Sequence, residues 1–185
     1  MIDFHSHILP GMDDGAKSVQ MSLEMLKKSA KDGVTDILST SHCYPRDNGS
    51  FVFFLEGREK SFAELSEAME KDGGVFPKIH LGCELNLRCD AASFQDIGKM
   101  CIENTDYILV EMPFEPWNER TIEWVYNLKV LGLNPVMAHI DRFLNQKDSV
   151  LNSLFELDLL YQVNTEAILD RRMEKQLRRL FEYGY

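Results

Sequence analysis

The sequence has little of what secreted and membrane-spanning proteins need. Its 185 residues include only four cysteines, Cys43, Cys83, Cys89 and Cys101, which show neither a paired zinc spacing nor the density of a disulfide scaffold. No apolar run approaches the roughly 20 residues of a membrane span, and no positively charged leader with an apolar stretch opens the chain. We therefore expect reduced thiols, a cytoplasmic location and no membrane insertion.

Positive charge is also scarce. Lys and Arg number 20 against 30 Asp and Glu, which gives a formal net charge of -10. Such a surface repels phosphate backbones, and the basic residues are scattered rather than gathered in a stripe, so nucleic acid is not an expected partner. The charge of carboxylates held close together is compensated when cations bind, and the acidity is therefore consistent with a metal site.

Apolar residues make up 44% of the chain, enough to fill one core in a single domain spanning residues 1–185. Short apolar or β-branched runs predict strands at residues 2–4, 35–40, 79–85, 107–112, 134–140 and 160–163. Helical spacing predicts helices at residues 19–31, 57–71, 119–131, 147–157 and 167–183, and residues 45–54 are expected to form a loop. This alternation favours an α/β fold with a parallel sheet, either a (β/α) barrel or an open doubly wound sheet.

Two histidines, His5 and His7, follow the first predicted strand at positions i and i+2. At the end of a strand this spacing points both imidazoles to the same face, which is suitable for a shared metal ion. Two histidines placed by chance on a polar strand face are the alternative interpretation of this pair alone.

Four further residues lie at or just beyond the carboxyl ends of predicted strands: His42, Glu84, Glu111 and His139. In a parallel sheet these ends share one rim, where active sites assemble, so all of these side chains are predicted to converge. Glu84 and Glu111 stand in apolar runs, where an ionised carboxylate is costly unless it is paired or bound to a metal. A bridging ligand is our interpretation of each, with a buried salt bridge as the alternative.

The Gly-Met-Asp-Asp-Gly segment after the first strand offers another oxygen ligand, and we favour Asp14 over Asp13. Gly15 would allow a tight turn there. The alternative is a turn with acidic residues near a helix start, with Ser18 capping the next helix, and both interpretations can hold together. The remaining histidine, His80, is in mid-strand and is expected to be structural or exposed.

Two arginines are candidates for phosphate contact, Arg142 beside His139 and Arg46 in the loop after His42, because a guanidinium matches a pair of phosphate oxygens. Ordinary surface arginines are the alternative. Mixed imidazole and carboxylate ligands suit manganese, zinc or iron, and such ions would supply a water of lowered pKa for phosphoryl transfer. A thiolate mechanism is not expected, because Cys43 lacks a surrounding Gly-rich run of backbone donors.

Six motifs, read together, resemble those of the PHP (polymerase and histidinol phosphatase) superfamily. They are Phe4-His5-Ser6-His7-Ile8-Leu9-Pro10, Asp13-Asp14-Gly15, Ser41-His42-Cys43-Tyr44-Pro45, Gly82-Cys83-Glu84-Leu85-Asn86, Val110-Glu111-Met112-Pro113-Phe114 and Ala138-His139-Ile140-Asp141-Arg142-Phe143. Within the superfamily, the sequence is most similar to the bacterial capsule and exopolysaccharide branch of manganese-dependent protein-tyrosine phosphatases. The resemblance covers essentially the whole chain.

The resemblance implies a distorted, TIM-like (β/α)7 barrel that holds two or three divalent ions, with manganese first and zinc or iron next. It implies as substrate the phosphorylated, tyrosine-rich tail of a bacterial tyrosine kinase that controls polysaccharide export. Arg142 matches an arginine of the family that meets the phosphate. The family's metal-ligand positions fall on His5, His7, Asp14, His42, Glu84, Glu111 and His139.

The sequence departs from the family pattern in two places. Ile140-Asp141 and Phe143 stand where the family usually has a Pro-Glu pair and a Tyr. Family members also continue to a strand with a Ser-Asp-x-His motif that completes the metal cluster, whereas the sequence here ends at Tyr185. We therefore expect a barrel incomplete at its C-terminus, with fewer bound ions and a sheet edge that a partner chain or a second copy could cover.

Two other functions stay open beside a tyrosine phosphatase. One is a PHP-type hydrolase acting on a small phosphomonoester, which the motifs alone do not distinguish. The other is a catalytically weak metal-binding module that binds a kinase tail or a second copy of itself, because the last ligands of the family pattern are missing.

Overall fold

A computed structural model of the chain describes residues 1–182, in which strands and helices alternate. The strands are β1 (Ile2–Ser6), β2 (Asp36–Ser39), β3 (His42–Cys43), β4 (Lys78–Leu81), β5 (Glu84–Asn86), β6 (Tyr107–Glu111), β7 (Asn134–Met137) and β8 (Leu160–Tyr161). The helices are α1 (Val19–Lys31), α2 (Asn48–Asp72), α3 (Glu119–Val130), α4 (Asp148–Phe155), α5 (Thr165–Leu169) and α6 (Glu174–Glu182). The predicted α/β class is confirmed.

The strands form two sheets in which every pairing is parallel. One sheet has the order β1-β2-β4, and the other has the order β3-β5-β6-β7-β8. Because the strands within each sheet run in the same direction, their carboxyl ends share one edge. The loops that follow these ends therefore meet, which is the arrangement that the candidate ligands require.

The apolar run at residues 79–85 forms two strands, so the prediction of one strand is wrong. β4 pairs with β2 in the first sheet, whereas β5 pairs with β3 and β6 in the second. The chain passes from one sheet to the other at Gly82 and Cys83, and the amide of Gly82 still donates to Ser39 at 3.0 Å. Apolar composition does not mark this change, because Ile79 and Leu81 before it and Leu85 after it are apolar alike.

The prediction of a loop at residues 45–54 is also wrong, because α2 begins at Asn48. Asp47 caps this helix by accepting a hydrogen bond from the backbone N–H of Ser50 at 2.7 Å, and the Ser50 hydroxyl accepts from the Asp47 N–H at 3.0 Å. This reciprocal pair is a capping box, which satisfies two N–H groups that would otherwise lack partners. By contrast, α1 has the predicted bounds, with Ser18 as its cap.

The predicted helix at residues 167–183 is interrupted. α5 ends at Leu169, a 3₁₀ turn follows at Arg171–Met173, and α6 resumes at Glu174. The side chain of Asp170 accepts from the backbone N–H of Arg172 at 2.9 Å, a cap that starts a new turn instead of continuing the old one. The last residue of the predicted helix, Tyr183, lies outside the described residues.

Two strands end at least two residues earlier than predicted. β7 stops at Met137 rather than at residue 140, because His139 adopts a left-handed backbone with φ of 33° and a 3₁₀ turn, Ile140–Phe143, follows. β8 stops at Tyr161 rather than at residue 163. Both early ends place polar side chains in loops beside the ligand edge.

The core has two main parts, which follow the two sheets. Ile37 and Ile79 of the first sheet pack with Leu26 of α1 and Leu65 of α2. The second sheet buries Ile108 and Val110 of β6 in a larger cluster, whereas Leu109, on the opposite face, packs with Val136 and Ala138. β6 is therefore buried on both faces, as expected of a strand in a covered parallel sheet. In residues 1–182, no helix is long and apolar enough to cross a membrane.

Candidate metal centre

The carboxyl ends of strands from both sheets surround one cavity of about 410 Å³. The first sheet brings His5 and His7, and the second brings His42, Glu84 and His139, which all line this cavity. The cavity is also lined by Asp14, Gly15, Arg142, Gln162 and Asn164. The structure thus brings together the imidazoles that the sequence placed at separate strand ends.

Glu84 lies at the centre of these imidazoles, and its side chain is only 1% exposed. Its Oε2 atom lies 3.1 Å from Nε2 of His5, 3.2 Å from Nε2 of His7 and 3.1 Å from Nδ1 of His42. Its Oε1 atom lies 2.7 Å from Nε2 of His139. Burial opposes ionisation of Glu84, but hydrogen bonds from His139, His5 and His7 outweigh it and hold the pKa well below its usual range.

Glu111 extends the cluster on its buried side. Its Oε2 atom lies 3.7 Å from Nδ1 of His42 and accepts a hydrogen bond from Nδ2 of Asn86 at 2.7 Å. Its Oε1 atom lies 3.5 Å from Nε2 of His139. Among the described residues, no Lys or Arg forms a salt bridge with Glu84 or Glu111. A buried salt bridge with a Lys or Arg therefore does not explain either carboxylate.

The neighbouring residues Asp13 and Asp14 occupy different positions. Asp13 is 3% exposed and accepts hydrogen bonds from Nδ1 of His7 at 2.9 Å, the backbone of His42 at 2.8 Å and the backbone of Gly15 at 2.9 Å. Asp14 is 82% exposed, and its Oδ1 lies 3.7 Å from both His7 Nδ1 and His42 Nε2. Asp13 is thus positioned to orient the histidine rings, while Asp14 can reach a shared cation.

Asp13 and His7 shift each other's protonation. Burial opposes the protonated form of His7, but hydrogen bonds to Asp13 and Glu84 outweigh it and raise the pKa of His7 to about 10. Burial likewise opposes the ionised form of Asp13, yet hydrogen bonds from His7, Gly15 and His42 lower its pKa to about 2. The pair therefore favours opposite charges over a wide pH range.

The donor atoms fit divalent cations. Three groups of potential ligand atoms each lie within 4.8 Å of one another: His5, His7 and Glu84; His7, Asp14 and His42; His42, Glu84 and Glu111. Nε2 of His5 and Nε2 of His7 lie 3.1 Å apart, and Nδ1 of His42 is buried close to Oε2 of Glu84 without the geometry of a hydrogen bond to any described residue. Ring nitrogens that face each other and carboxylates across a short gap are suited to share cations.

The remaining predicted residues lie in different surroundings. Arg142, in the 3₁₀ turn after His139, is exposed and lines the cavity. Arg46 is exposed just before α2 and does not line the cavity, and its backbone N–H donates to Ser50. His80 also lies outside the cavity lining, where it pairs with Asp36 at 3.0 Å between β4 and β2.

Sequence reasoning did not identify Gln162, Asn164 or Tyr44 as parts of the site. Gln162 and Asn164 follow β8, so the rule that ligands follow strand ends would have found them if uncharged amides had been considered. Tyr44 stacks on His42 with ring centroids 5.2 Å apart. Burial, followed by the charges of Glu111 and Glu84, raises the pKa of Tyr44 to about 12.

A family model described as "Capsular polysaccharide synthesis, CpsB/CapC" matches residues 1–182. The chain belongs to the CpsB/CapC family. This membership agrees with the resemblance seen in the six sequence motifs, and the matched region contains every residue of the candidate metal centre.

Curated relatives of the chain are tyrosine-protein phosphatases. It is 29% identical over 173 residues to tyrosine-protein phosphatase YwqE of Bacillus subtilis, covering 91% of this chain and 66% of that protein. It is 30% identical over 177 residues to tyrosine-protein phosphatase CpsB of Streptococcus agalactiae, covering 94% of this chain and 71% of that protein. The chain thus spans about two thirds of the length of these relatives.

A solved structure shares the fold. It comes from work on YwqE of Bacillus subtilis and CpsB of Streptococcus pneumoniae, described as "unique metal-dependent tyrosine phosphatases". The match has a TM-score of 0.76 and 27% sequence identity, and it covers 98% of this chain and 74% of the solved chain. The parallel α/β architecture described above is therefore that of a known metal-dependent enzyme.

Proposed function

We propose that this chain is a metal-dependent protein-tyrosine phosphatase that removes phosphate from the tyrosine-rich tail of a bacterial kinase controlling capsular or exopolysaccharide synthesis. Its family membership and the named activity of its relatives support this proposal. The observation that carries it is the position of Glu84, a buried carboxylate with four imidazoles within 3.2 Å. Imidazole nitrogens gathered around one carboxylate form a donor set that suits divalent cations.

In this proposal, seven residues hold two or three divalent ions: His5, His7, Asp14, His42, Glu84, Glu111 and His139. Manganese is the first candidate, with zinc or iron next, because imidazole and carboxylate donors suit all three. When bound, such ions lower the pKa of a water and offset the charge of phosphate oxygens during phosphoryl transfer. Asp13 keeps the His7 ring turned toward the cluster through its 2.9 Å hydrogen bond.

The substrate end of the cavity is assigned to Arg142, which lines it and is exposed. Its guanidinium can donate two parallel hydrogen bonds to phosphate oxygens and so orient the ester. Tyr44 is 55% exposed and stacks on His42, so an aromatic surface borders the imidazoles where a phosphotyrosine ring would approach. Arg46 is the weaker phosphate candidate, because it does not line the cavity.

We place this function in a single PHP-type domain spanning residues 1–185, whose two sheets are arcs of a distorted (β/α)7 barrel. The support is that both sheets send ligands into one cavity. The four free cysteines support a reducing, cytoplasmic compartment. β1 and β8 are edge strands of their sheets, and a homo-oligomer or a further strand that covers them is part of the proposal.

The proposal is tested by phosphate release from a phosphotyrosyl peptide in the presence of Mn²⁺. We expect release by the wild type, its loss on chelation and its recovery when Mn²⁺ is restored. Glu84→Gln should lower the rate by at least about a hundredfold, because a central ligand loses its charge. Glu123→Gln, an exposed change on α3, is the matched control and should keep the wild-type rate.

Other outcomes would contradict the proposal. Equal or faster hydrolysis of small phosphomonoesters would favour the small-ester hydrolase. Bound Mn²⁺ without release from any phosphomonoester would favour a binding module. Release that persists in Glu84→Gln would show that the cluster is not the catalytic centre.

A further inference from the structure

The side chain of Gln162, just after β8, contacts two proposed metal ligands at once. Its Oε1 atom lies 2.6 Å from the backbone nitrogen of His139 and 3.3 Å from Nδ1 of His5. A backbone N–H only donates, so the atom of Gln162 that faces it must be the oxygen. Because that oxygen only accepts, the contact with His5 requires a proton on Nδ1 of the ring.

The amide nitrogen of Gln162 also has a definite hydrogen-bond partner. Nε2 of Gln162 donates to Oδ1 of Asn164 at 3.3 Å. Asn164 in turn donates its backbone N–H and its Nδ2 to the two carboxylate oxygens of Asp141, at 2.8 Å and 3.1 Å. A carboxylate only accepts, so the oxygen of Asn164 is the atom left to face Gln162. Every hydrogen bond from His5 through Gln162 and Asn164 to Asp141 therefore has one direction.

This series of hydrogen bonds determines which ring nitrogen of His5 carries no proton. With the proton on Nδ1, a neutral His5 leaves the lone pair of Nε2 for a cation in the gap beside Oε2 of Glu84 and Nε2 of His7, each 3.1 Å away; the hydrogen bond from Nε2 to Glu84 belongs to the form of the ring that carries both protons. The opposite tautomer would present a proton there and exclude a cation. We propose that Gln162 is a positioning residue that sets the tautomer of His5 and thereby the metal affinity of the centre.

Gln162 also holds together ligands from the two sheets. His5 belongs to β1 of the three-stranded sheet, whereas His139 follows β7 of the five-stranded sheet. The same oxygen accepts from both, so it fixes the distance between a ring on one sheet and the backbone on the other. Partners of metal-ligating histidines commonly act in this way, and their loss weakens metal binding by about tenfold to a hundredfold.

The test compares three variants by calorimetric Mn²⁺ binding and by long-range ¹⁵N–¹H NMR of the histidine rings. Gln162→Met keeps the length but cannot accept, and should bind Mn²⁺ about tenfold to a hundredfold more weakly. Gln162→Glu keeps the accepting oxygen and should restore the Nδ1-protonated His5. Gln146→Met is the matched control, because Gln146 also accepts from a backbone N–H, that of Trp117 at 2.9 Å, without contacting a proposed ligand.

The inference rests on the proposed metal centre. The NMR measurement distinguishes a failure of the role of Gln162 from a failure of the proposed function. Spectra of the metal-free protein, recorded where His5 is neutral, show its tautomer whether or not metal binds. If the wild type binds no Mn²⁺, the proposed function fails, while the tautomer still tests Gln162. The role of Gln162 is overturned if His5 in Gln162→Met keeps its proton on Nδ1, or if this variant binds Mn²⁺ as tightly as Gln146→Met. Should Gln162→Met not fold, Gln162→Leu, which also cannot accept a hydrogen bond, replaces it, with loss of the Nδ1-protonated tautomer of His5 expected and an unchanged tautomer contradicting the inference.

Discussion

Single residues set the chemistry of this protein through the sharing of protons between acidic and imidazole groups. The clearest case is the pair formed by Asp13 and His7, whose pKa values are displaced to about 2 and about 10. Each displacement links protonation to folding, because the ionised forms are stabilised only in the folded protein.

The pair predicts a pH window for the stability of the chelator-treated protein. The contribution of His7 is complete below its ordinary pKa of 6.5 and is lost as the pH rises through about 10. The contribution of Asp13 is complete above its ordinary pKa of 3.8 and is lost as the pH falls through about 2. Urea unfolding of Asp13→Asn should therefore show its largest loss of stability, relative to the wild type, between these ordinary values.

The loss in Asp13→Asn should become smaller toward pH 10. Asp32→Asn, an exposed change at the end of α1, is the control and should show little loss at any pH. A loss in Asp13→Asn that stays constant from pH 5 to pH 10 would contradict the pairing.

At the scale of residues, the sequence predicted which ionisable side chains lie together, and it did not identify the uncharged side chains beside them. The strand-end rule brought His42 and His139 into one cluster before the structure was known, because parallel strands share an edge. It favoured Asp14 over Asp13 as a ligand but did not predict that Asp13 is buried against His7, since adjacent residues differ in where their side chains turn. It also missed Gln162, because the strand-end rule was applied only to ionisable side chains.

At the scale of elements, the turn after β1 determines where the first ligands lie. The backbone N–H of Ala16 donates to the carbonyl of His7 at 3.0 Å, and Gly11 donates to Ala16 at 2.8 Å, so the segment folds back over the strand end. Gly15 allows this close approach. A Cβ atom at Gly15 would lie 2.2 Å from the carbonyl oxygen of His7 and 2.4 Å from its Cβ.

Gly15→Ala should therefore displace His7 and weaken Mn²⁺ binding by at least about tenfold, measured by calorimetry. The clash involves backbone atoms and cannot be relieved by turning a side chain. Gly98→Ala is the control, because a Cβ there meets nothing within 4 Å and the residue has no positive φ. Equal Mn²⁺ affinity in the two variants would show that the turn does not constrain His7.

Helices whose apolar residues recur at helical spacing were predictable. Elements that depend on pairing with another strand or on a capping side chain were not. α1 matches its prediction because its apolar residues recur at helical spacing and Ser18 caps it. β3 has only two residues, His42 and Cys43, and owes its existence to pairing with β5. The start of α2 was hidden because Asp47 and Ser50 form a cap in a segment that also resembles a turn.

Over the whole molecule, the candidate metal centre joins two sheets that do not share a backbone ladder. His5 and His7 come from one sheet, while His42, Glu84 and Glu111 come from the other. Cations bound between them would be present only in the folded state, and so would stabilise it in proportion to their concentration.

Thermal unfolding should therefore respond to Mn²⁺. At a free concentration of about a hundred times the Kd, the free energy of unfolding should rise by about 2.7 kcal/mol. For a chain of this length that corresponds to an increase in Tm of about 5–10 °C. Glu84→Gln should reduce the increase, whereas Glu123→Gln should keep it, and an increase of equal size in both variants would indicate cation binding elsewhere.

For the molecule as a whole, the sequence predicted the α/β class but not the division of the strands into two sheets. Continuous apolar strands alternating with helices indicated parallel strands, and the structure has them. The passage of residues 79–85 from one sheet to the other could not be predicted, because the segment reads as one apolar run with Ile79 and Leu85 near its ends.

The number of metal ions per chain tests the candidate metal centre most directly, measured by elemental analysis of protein purified with Mn²⁺ and freed of unbound ions. We predict two or three ions per chain in the wild type and in Glu123→Gln, and a lower number in Glu84→Gln. Absence of bound metal from the wild type, or an unchanged number in Glu84→Gln, would contradict a metal centre built around Glu84.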